Sequence, residues 1–339
     1  MSGHGMNPLD PFNPFYDVEV EYIWQPYQTF IDPSNKEPGD SVIDYSYFEQ
    51  YKNQLVVINF ASEHWNNFER WVCEWLDRAG INFLMLTHDY AKHQKHPRMF
   101  YYPHWYQLSR KFWVSRSDYI SANKRKNYYL GCLNGSARPH RIANFLKLKK
   151  QTYWNNTCIS FHNESAYRPD DFILTDDEQA EWKILQPTLP NKSWTISSLT
   201  SQRAYDDLNA PHLIDSYLHL VTETTVLPTI FISEKTWKPV ATAVPFVVWG
   251  NPGTVSFLKS QGVDTYDDVI DHKYYDSEND SRLRLNKLHK VINDLVLQGV
   301  DKIYNQLSDR VIDNQTKYFQ GNFGQNYHNI VVDAIKKYS

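Results

Sequence analysis

Residues 55–60 and 81–87 are predominantly apolar runs of strand length. Between them Phe68, Trp71, Val72, Trp75 and Leu76 recur on one helical face, and Gly80 ends the pattern. Buried strand, amphipathic helix and buried strand make a β-α-β unit, which requires a parallel sheet with a right-handed crossover. Alternation over 18–24 predicts a strand ahead of it. A second series begins at 128–133, another apolar run, followed by turn residues Asn134, Gly135, Ser136 and Ala137. Pro139 suits a first helical position, and Ile142, Phe145, Leu146 and Leu148 carry the helix to Lys150. Strands are expected at 158–161, 216–222 and 244–250, and one near Tyr266. Helices are expected at 65–79, 201–209, after Ser233, at 255–259, 281–296, 301–319 and 327–337. Residues 88–120, aromatic and rich in His, and the acidic stretch 164–195 show no period and are expected to be irregular. The polar, basic segment 121–127 is the expected linker.

The pattern is α/β, with strands alternating with helices in two blocks. A length of 339 residues accommodates two domains and a sizeable core. Tyr and Trp are abundant, 24 and 11, and suit either sugar or base contacts or an aromatic core. A net charge of -4 supplies no basic field for non-specific nucleic-acid binding. The three cysteines, Cys73, Cys132 and Cys158, show no CxxC spacing, which excludes a disulfide framework and fits a reducing compartment. No run has the length of a membrane span, and the first residues lack the apolar core of a signal peptide, so a soluble, cytoplasmic protein is expected.

His88, His93, His96 and His104 lack metal-ligand spacing, and solvated or packed histidines are the simpler reading. The pairs Asp170-Asp171 and Asp176-Asp177 lie in a polar stretch, away from the strand end that a metal-binding D-x-D motif needs. No metal site is expected. The sharpest signal is Phe231-Ile232-Ser233-Glu234-Lys235 ahead of Val244-Pro245-Phe246-Val247-Val248-Trp249-Gly250. Ser233 is a good N-cap. Lys235 in the first turn opposes the helix dipole unless an anion binds there; a solvated surface Lys is the bland alternative. Arg141 lies near another helix start and Glu223 at the end of a core strand, both on the ligand side of a doubly wound sheet.

These residues resemble the alpha-1,3-fucosyltransferase family of inverting glycosyltransferases. The resemblance runs through Val221-Thr222-Glu223-Thr224, Phe231 to Lys235 and Val244 to Gly250, in the family's order and similar spacing. Upstream it takes in Asn134-Gly135-Ser136 and Arg141-Ile142-Ala143-Asn144-Phe145, and more loosely Arg98 to Tyr102. It covers about 128–260 clearly. The resemblance implies a GT-B-like fold, two Rossmann-like domains facing across a cleft: 1–123 on the acceptor side, 124–310 binding the donor, and 311–339 as C-terminal helices returning to the first domain. It implies that Lys235 and Arg141 neutralise the diphosphate, that Glu234 holds the ribose hydroxyls, that Phe231 lies beside the nucleotide, and that Glu223 and Ser233 complete the donor site. The co-substrate is a nucleotide-diphosphate sugar, with a GDP-sugar favoured and no cofactor required. The acceptor is a glycan or another hydroxyl-bearing molecule. Thr224 and Phe231 depart from the family's Asn and Tyr, and Pro239 falls inside the helix. The general base belongs to the first domain, where Glu63 is the candidate and His64 the reserve. Two alternatives stay open: an inactive GT-B-like module that binds glycan or nucleic acid, and a transferase acting on modified DNA bases, supported only by the basic residues 124–126.

Overall fold

The computed structural model describes residues 21–24, 51–61, 68–88, 96–113, 126–161, 167, 172–189, 211–227 and 229–339. The chain divides into two compact units, Met1–Leu108 with Gly324–Ser339, and Ser109–Phe323. The expected linker and the boundary at 123/124 lie almost wholly outside the described residues, as do the expected helix 201–209 and the Asp170-Asp171 pair.

The first unit holds β1 (Glu21–Trp24), β2 (Val56–Asn59), α1 (Phe68–Arg78), β3 (Phe83–Thr87) and β4 (Met99–Tyr101). Its sheet has the order β1-β2-β3-β4, every pair parallel. Alternate residues of each strand serve opposite faces. Val56, Ile58, Phe83 and Met85 pack against Val72, Cys73 and Leu76 of α1. Val57, Leu84 and Leu86 pack against Val331, Ala334 and Ile335 of the C-terminal helix, Gln325–Tyr338. Both faces are therefore covered, which explains the near-continuous apolar runs. Within the stretch expected to be irregular, the described residues 96–113 contain regular elements. After β4 comes α2 (His104–Trp113), an amphipathic helix with Tyr106, Leu108 and Trp113 buried.

The second unit holds β5 (Tyr128–Cys132), α3 (Pro139–Lys149), β6 (Thr157–Ile159), α4 (Asp176–Leu185), α5 (Pro211–Ile214), β7 (Ser216–Thr222), α6 (Glu234–Ala241), β8 (Phe246–Trp249), α7 (Thr254–Ser260), α8 (Lys273–Asp276), α9 (Ser281–Gln298), α10 (Val300–Gln306) and α11 (Ser308–Gln320). The C-terminal helix of the chain is α12. All four strands are parallel, in the order β6-β5-β7-β8. From β5 the chain runs to β6 on one side, then returns to place β7 on the other. The sheet's topological switch point is thus between β5 and β7, where doubly wound sheets open a crevice at the strand C-termini.

Three expectations change here. The acidic stretch 164–195 contains α4, capped by a reciprocal Thr175–Glu178 box, so its carboxylates Asp176 and Asp177 stabilise a helix start. No strand forms near Tyr266; this residue takes a positive φ of 61° and buries its ring under Arg310. The expected helix 301–319 breaks at Leu307 into α10 and α11. No helix among the described residues is long and apolar enough to cross a membrane.

Candidate functional site

Polar side chains collect where β5, β6 and β7 end. Thr222 Oγ1 lies 2.7 Å from Asn134 Oδ1 and 2.8 Å from the Leu133 carbonyl. Ser160 Oγ donates to the Asn134 carbonyl at 2.7 Å. These contacts join three strand ends and fix the first residue of the β5–α3 loop.

Arg141 of α3 lies within this cluster, 3% exposed. Its guanidinium donates to the carbonyl of Glu223 at 3.0 Å and to those of Thr222 and Ser136 at 3.5 Å each. Its Nε is buried and meets no partner. Among the described residues no carboxylate forms an ion pair with it. Burial pushes its pKa down to about 10, and Arg138 alongside pushes the same way, against Glu223 and Glu234. A buried cation held only by carbonyl dipoles retains most of its charge for another partner. The start of α3 adds to this field. Arg138 occupies the N-cap without a side-chain cap bond, Pro139 follows, and the first turn has no acid. Two arginines thus stand at the positive end of a helix dipole.

The helix starts after the next two strands are already filled. Asp276 caps α7, accepting from the amides of Val255 and Ser256 at 2.9 Å each and the Ser256 hydroxyl at 2.8 Å. Ser233 caps α6, its Oγ accepting from the Lys235 amide at 3.3 Å. The cap is itself held by Glu223, fully buried one residue beyond β7. Glu223 Oε1 accepts from the Ser233 amide at 3.1 Å and the Thr236 hydroxyl at 2.6 Å. Its Oε2 accepts from the Ser233 hydroxyl at 2.6 Å and the Thr224 amide at 3.2 Å. Four donors fill this carboxylate, so Glu223 is a splint between β7 and α6 rather than an open acceptor. Gly250 faces it; a Cβ there would lie 3.2 Å from Glu223 Cβ and 3.3 Å from Cγ.

Lys235 projects from the first turn of α6. Its ammonium donates to Glu234 Oε1 at 3.0 Å, Ser233 Oγ at 3.1 Å and Thr224 Oγ1 at 3.4 Å, and a fifth of the side chain meets solvent. Burial pushes the Glu234 carboxyl up, but Lys235 and Lys238 outweigh it and hold the group below its usual range. The incoming loop is pinned from two sides. Asn251 Oδ1 accepts from the Phe231 amide at 3.0 Å, and its Nδ2 donates to the Leu227 carbonyl at 2.6 Å. Arg284 of α9, buried, donates to the carbonyls of Val226 at 2.7 Å and Gly250 at 3.2 Å.

Arg141, Glu223, Ser233, Glu234 and Lys235, expected to act together, are therefore drawn into one connected network. Phe231 is beside them but 1% exposed, so its ring offers no face for a base to stack on. Glu63 and His64, the expected general base and its reserve, lie outside the described residues. Thr236, Asn134, Asn251 and Arg284 were not foreseen. Their partners are long-range, and only the S/T-x-x spacing of Ser233 and Thr236 hinted at a shared acceptor. No group of three or more His, Cys, Asp or Glu able to hold a metal occurs among the described residues. All three cysteines are free and buried. Compared with known proteins, the chain matches no family model, no curated protein and no solved structure.

Proposed function

We propose that the chain is an inverting glycosyltransferase of the GT-B kind, and that the C-terminal edge of the β6-β5-β7-β8 sheet binds a nucleotide-diphosphate sugar, a GDP-sugar by preference. The observation that carries this reading is Arg141: buried at the switch point, held by carbonyls alone, and with an unpartnered Nε. Sugar transfer places growing negative charge on the departing diphosphate, and preorganised cations in a dry site stabilise that charge most. Arg141 and the ammonium of Lys235 supply it. Glu234 accepts from the ribose hydroxyls once Lys235 turns to the phosphate. Glu223 acts through Ser233, keeping the start of α6 in place. The acceptor hydroxyl, on a glycan or another molecule, loses its proton to a general base of the first unit, for which Glu63 is proposed.

The test is a thermal-shift panel of GDP, UDP, ADP and CMP with their sugar conjugates, followed by donor turnover. Ligand at a hundredfold excess over Kd stabilises by about 2.7 kcal/mol. The expected result is a rise in Tm with one nucleotide diphosphate, lost in Lys235→Ala, and turnover abolished in Lys235→Ala and Arg141→Ala. Normal turnover in both variants would sink the proposal. The buried ring of Phe231 and Thr224 in place of Asn favour a second reading, an inactive binding module. No shift with any nucleotide or nucleotide sugar selects it.

A further inference from the structure

Glycine is scarce in this chain, 12 of 339 residues, and the structure accounts for most of those it describes. Gly80, Gly253, Gly262, Gly299 and Gly321 take positive φ, and Gly250 is pressed against Glu223. Gly135 has neither reason. Its φ is not in the positive range, and a Cβ built on it meets no atom within 4 Å. Nothing among the described residues asks for glycine there.

Its position supplies a reason from outside. Gly135 is exposed and follows Asn134, whose amide, carbonyl and side chain are all anchored to Ser160, Thr222 and Cys132. It therefore stands on a fixed base at the switch-point crevice. The amides of Gly135 and Ser136 bond to no group of the described residues. The next residues are the uncapped start of α3 with Arg138, and Arg141 bonds back to the Ser136 carbonyl. Free amides, an uncapped helix start and a buried, half-satisfied guanidinium converge on one short loop.

We propose that the loop from Asn134 to Arg138 is the seat of a pyrophosphate group, and that Gly135 is glycine because that group approaches its main chain more closely than a Cβ allows. The proposal rests on the nucleotide-diphosphate reading and sharpens it. It places the pyrophosphate against the β5–α3 loop and the bare end of α3, with Lys235 reaching it from α6.

Gly135→Ala isolates this claim, because a Cβ there meets no described atom within 4 Å and no positive φ opposes it. The melting temperature of the unliganded variant should equal or slightly exceed that of the wild type. Titration calorimetry with inorganic pyrophosphate and with GDP should show affinity for both weakened at least tenfold. Wild type that binds both, with Gly135→Ala binding them equally well, overturns the seat and leaves the nucleotide reading standing. Wild type that binds pyrophosphate but no nucleotide, with the variant impaired, keeps the seat and overturns the nucleotide reading. Wild type that binds neither overturns both.

Discussion

Replacing Glu223 by Gln tests the splint between β7 and α6. The carboxylate offers two acceptor oxygens to four donors; glutamine offers one oxygen and one NH2. The Ser233 and Thr236 hydroxyls can rotate to accept from that NH2, but the two amides cannot. The Ser233 amide faces Oε1 and the Thr224 amide faces Oε2, so either orientation of the glutamine sets one amide, buried at Ser233 or half-buried at Thr224, against another donor. An unsatisfied buried donor costs about 1–3 kcal/mol, and two surviving bonds that lose their charge assistance cost roughly 1 kcal/mol more between them. The expected loss is about 3 kcal/mol. For a unit of this size that lowers Tm by about 6–12 °C. Differential scanning calorimetry reads it, with Thr236→Val as the partner mutation. The valine alone removes one hydroxyl donor, and in the double variant its effect should shrink, because both changes act on one network. A drop of less than 2 °C in Glu223→Gln, or strict additivity of the pair, would show that the carboxylate does not hold α6 in place.

Two further outcomes are expected. Ala243, just past α6, sits at φ 53°, a conformation that costs an L-residue about 1–2 kcal/mol. Ala243→Gly relieves this against roughly 0.5–1 kcal/mol of added chain entropy in the unfolded state, so Tm should rise by 1–3 °C, and a fall would contradict the account. Arg282 grips both Glu178 oxygens, at 2.8 and 2.9 Å. Burial pushes Glu178 up, but Arg282 and the Thr175 amide hold it below its usual 4.5. A depressed carboxyl stabilises above its unfolded pKa, and this is lost as pH falls through the folded value. Arg282→Ala should therefore cost about 1 kcal/mol at pH 7, the exposure of the pair already discounted, and less at pH 3. A urea midpoint difference that is the same at both pH values would refute this.

Strands were the most legible part of the chain. β2, β3, β7 and β8 are buried on both faces, and such strands announce themselves as apolar runs. α4 carries an S/T-x-x-E signal at Thr175 and Glu178, yet its surplus of acid masked it as a loop. β4 has only three residues, too few for any period. At the site, local chemistry was visible and long-range partners were not. Ser233 and Lys235 mark a helix start in sequence, but the burial of Arg141 depends on carbonyls 81 and 82 residues away. Glu223 was legible as the end of a strand. Its four donors became clear only when the loop to Thr236 folded back over it.

Pro239 gives α6 a temporal role. It removes the amide that would otherwise donate to the Lys235 carbonyl, in a helix of only eight residues with the strained Ala243 two positions past its end. With so few internal bonds, α6 keeps its shape through its buried face, Thr236 to Ala241, and the Glu223 contacts rather than through cooperativity of its own. Its amides should therefore exchange with deuterium before those of β7. Glu223→Gln should then register first as faster exchange along this one helix, ahead of any change in the sheet.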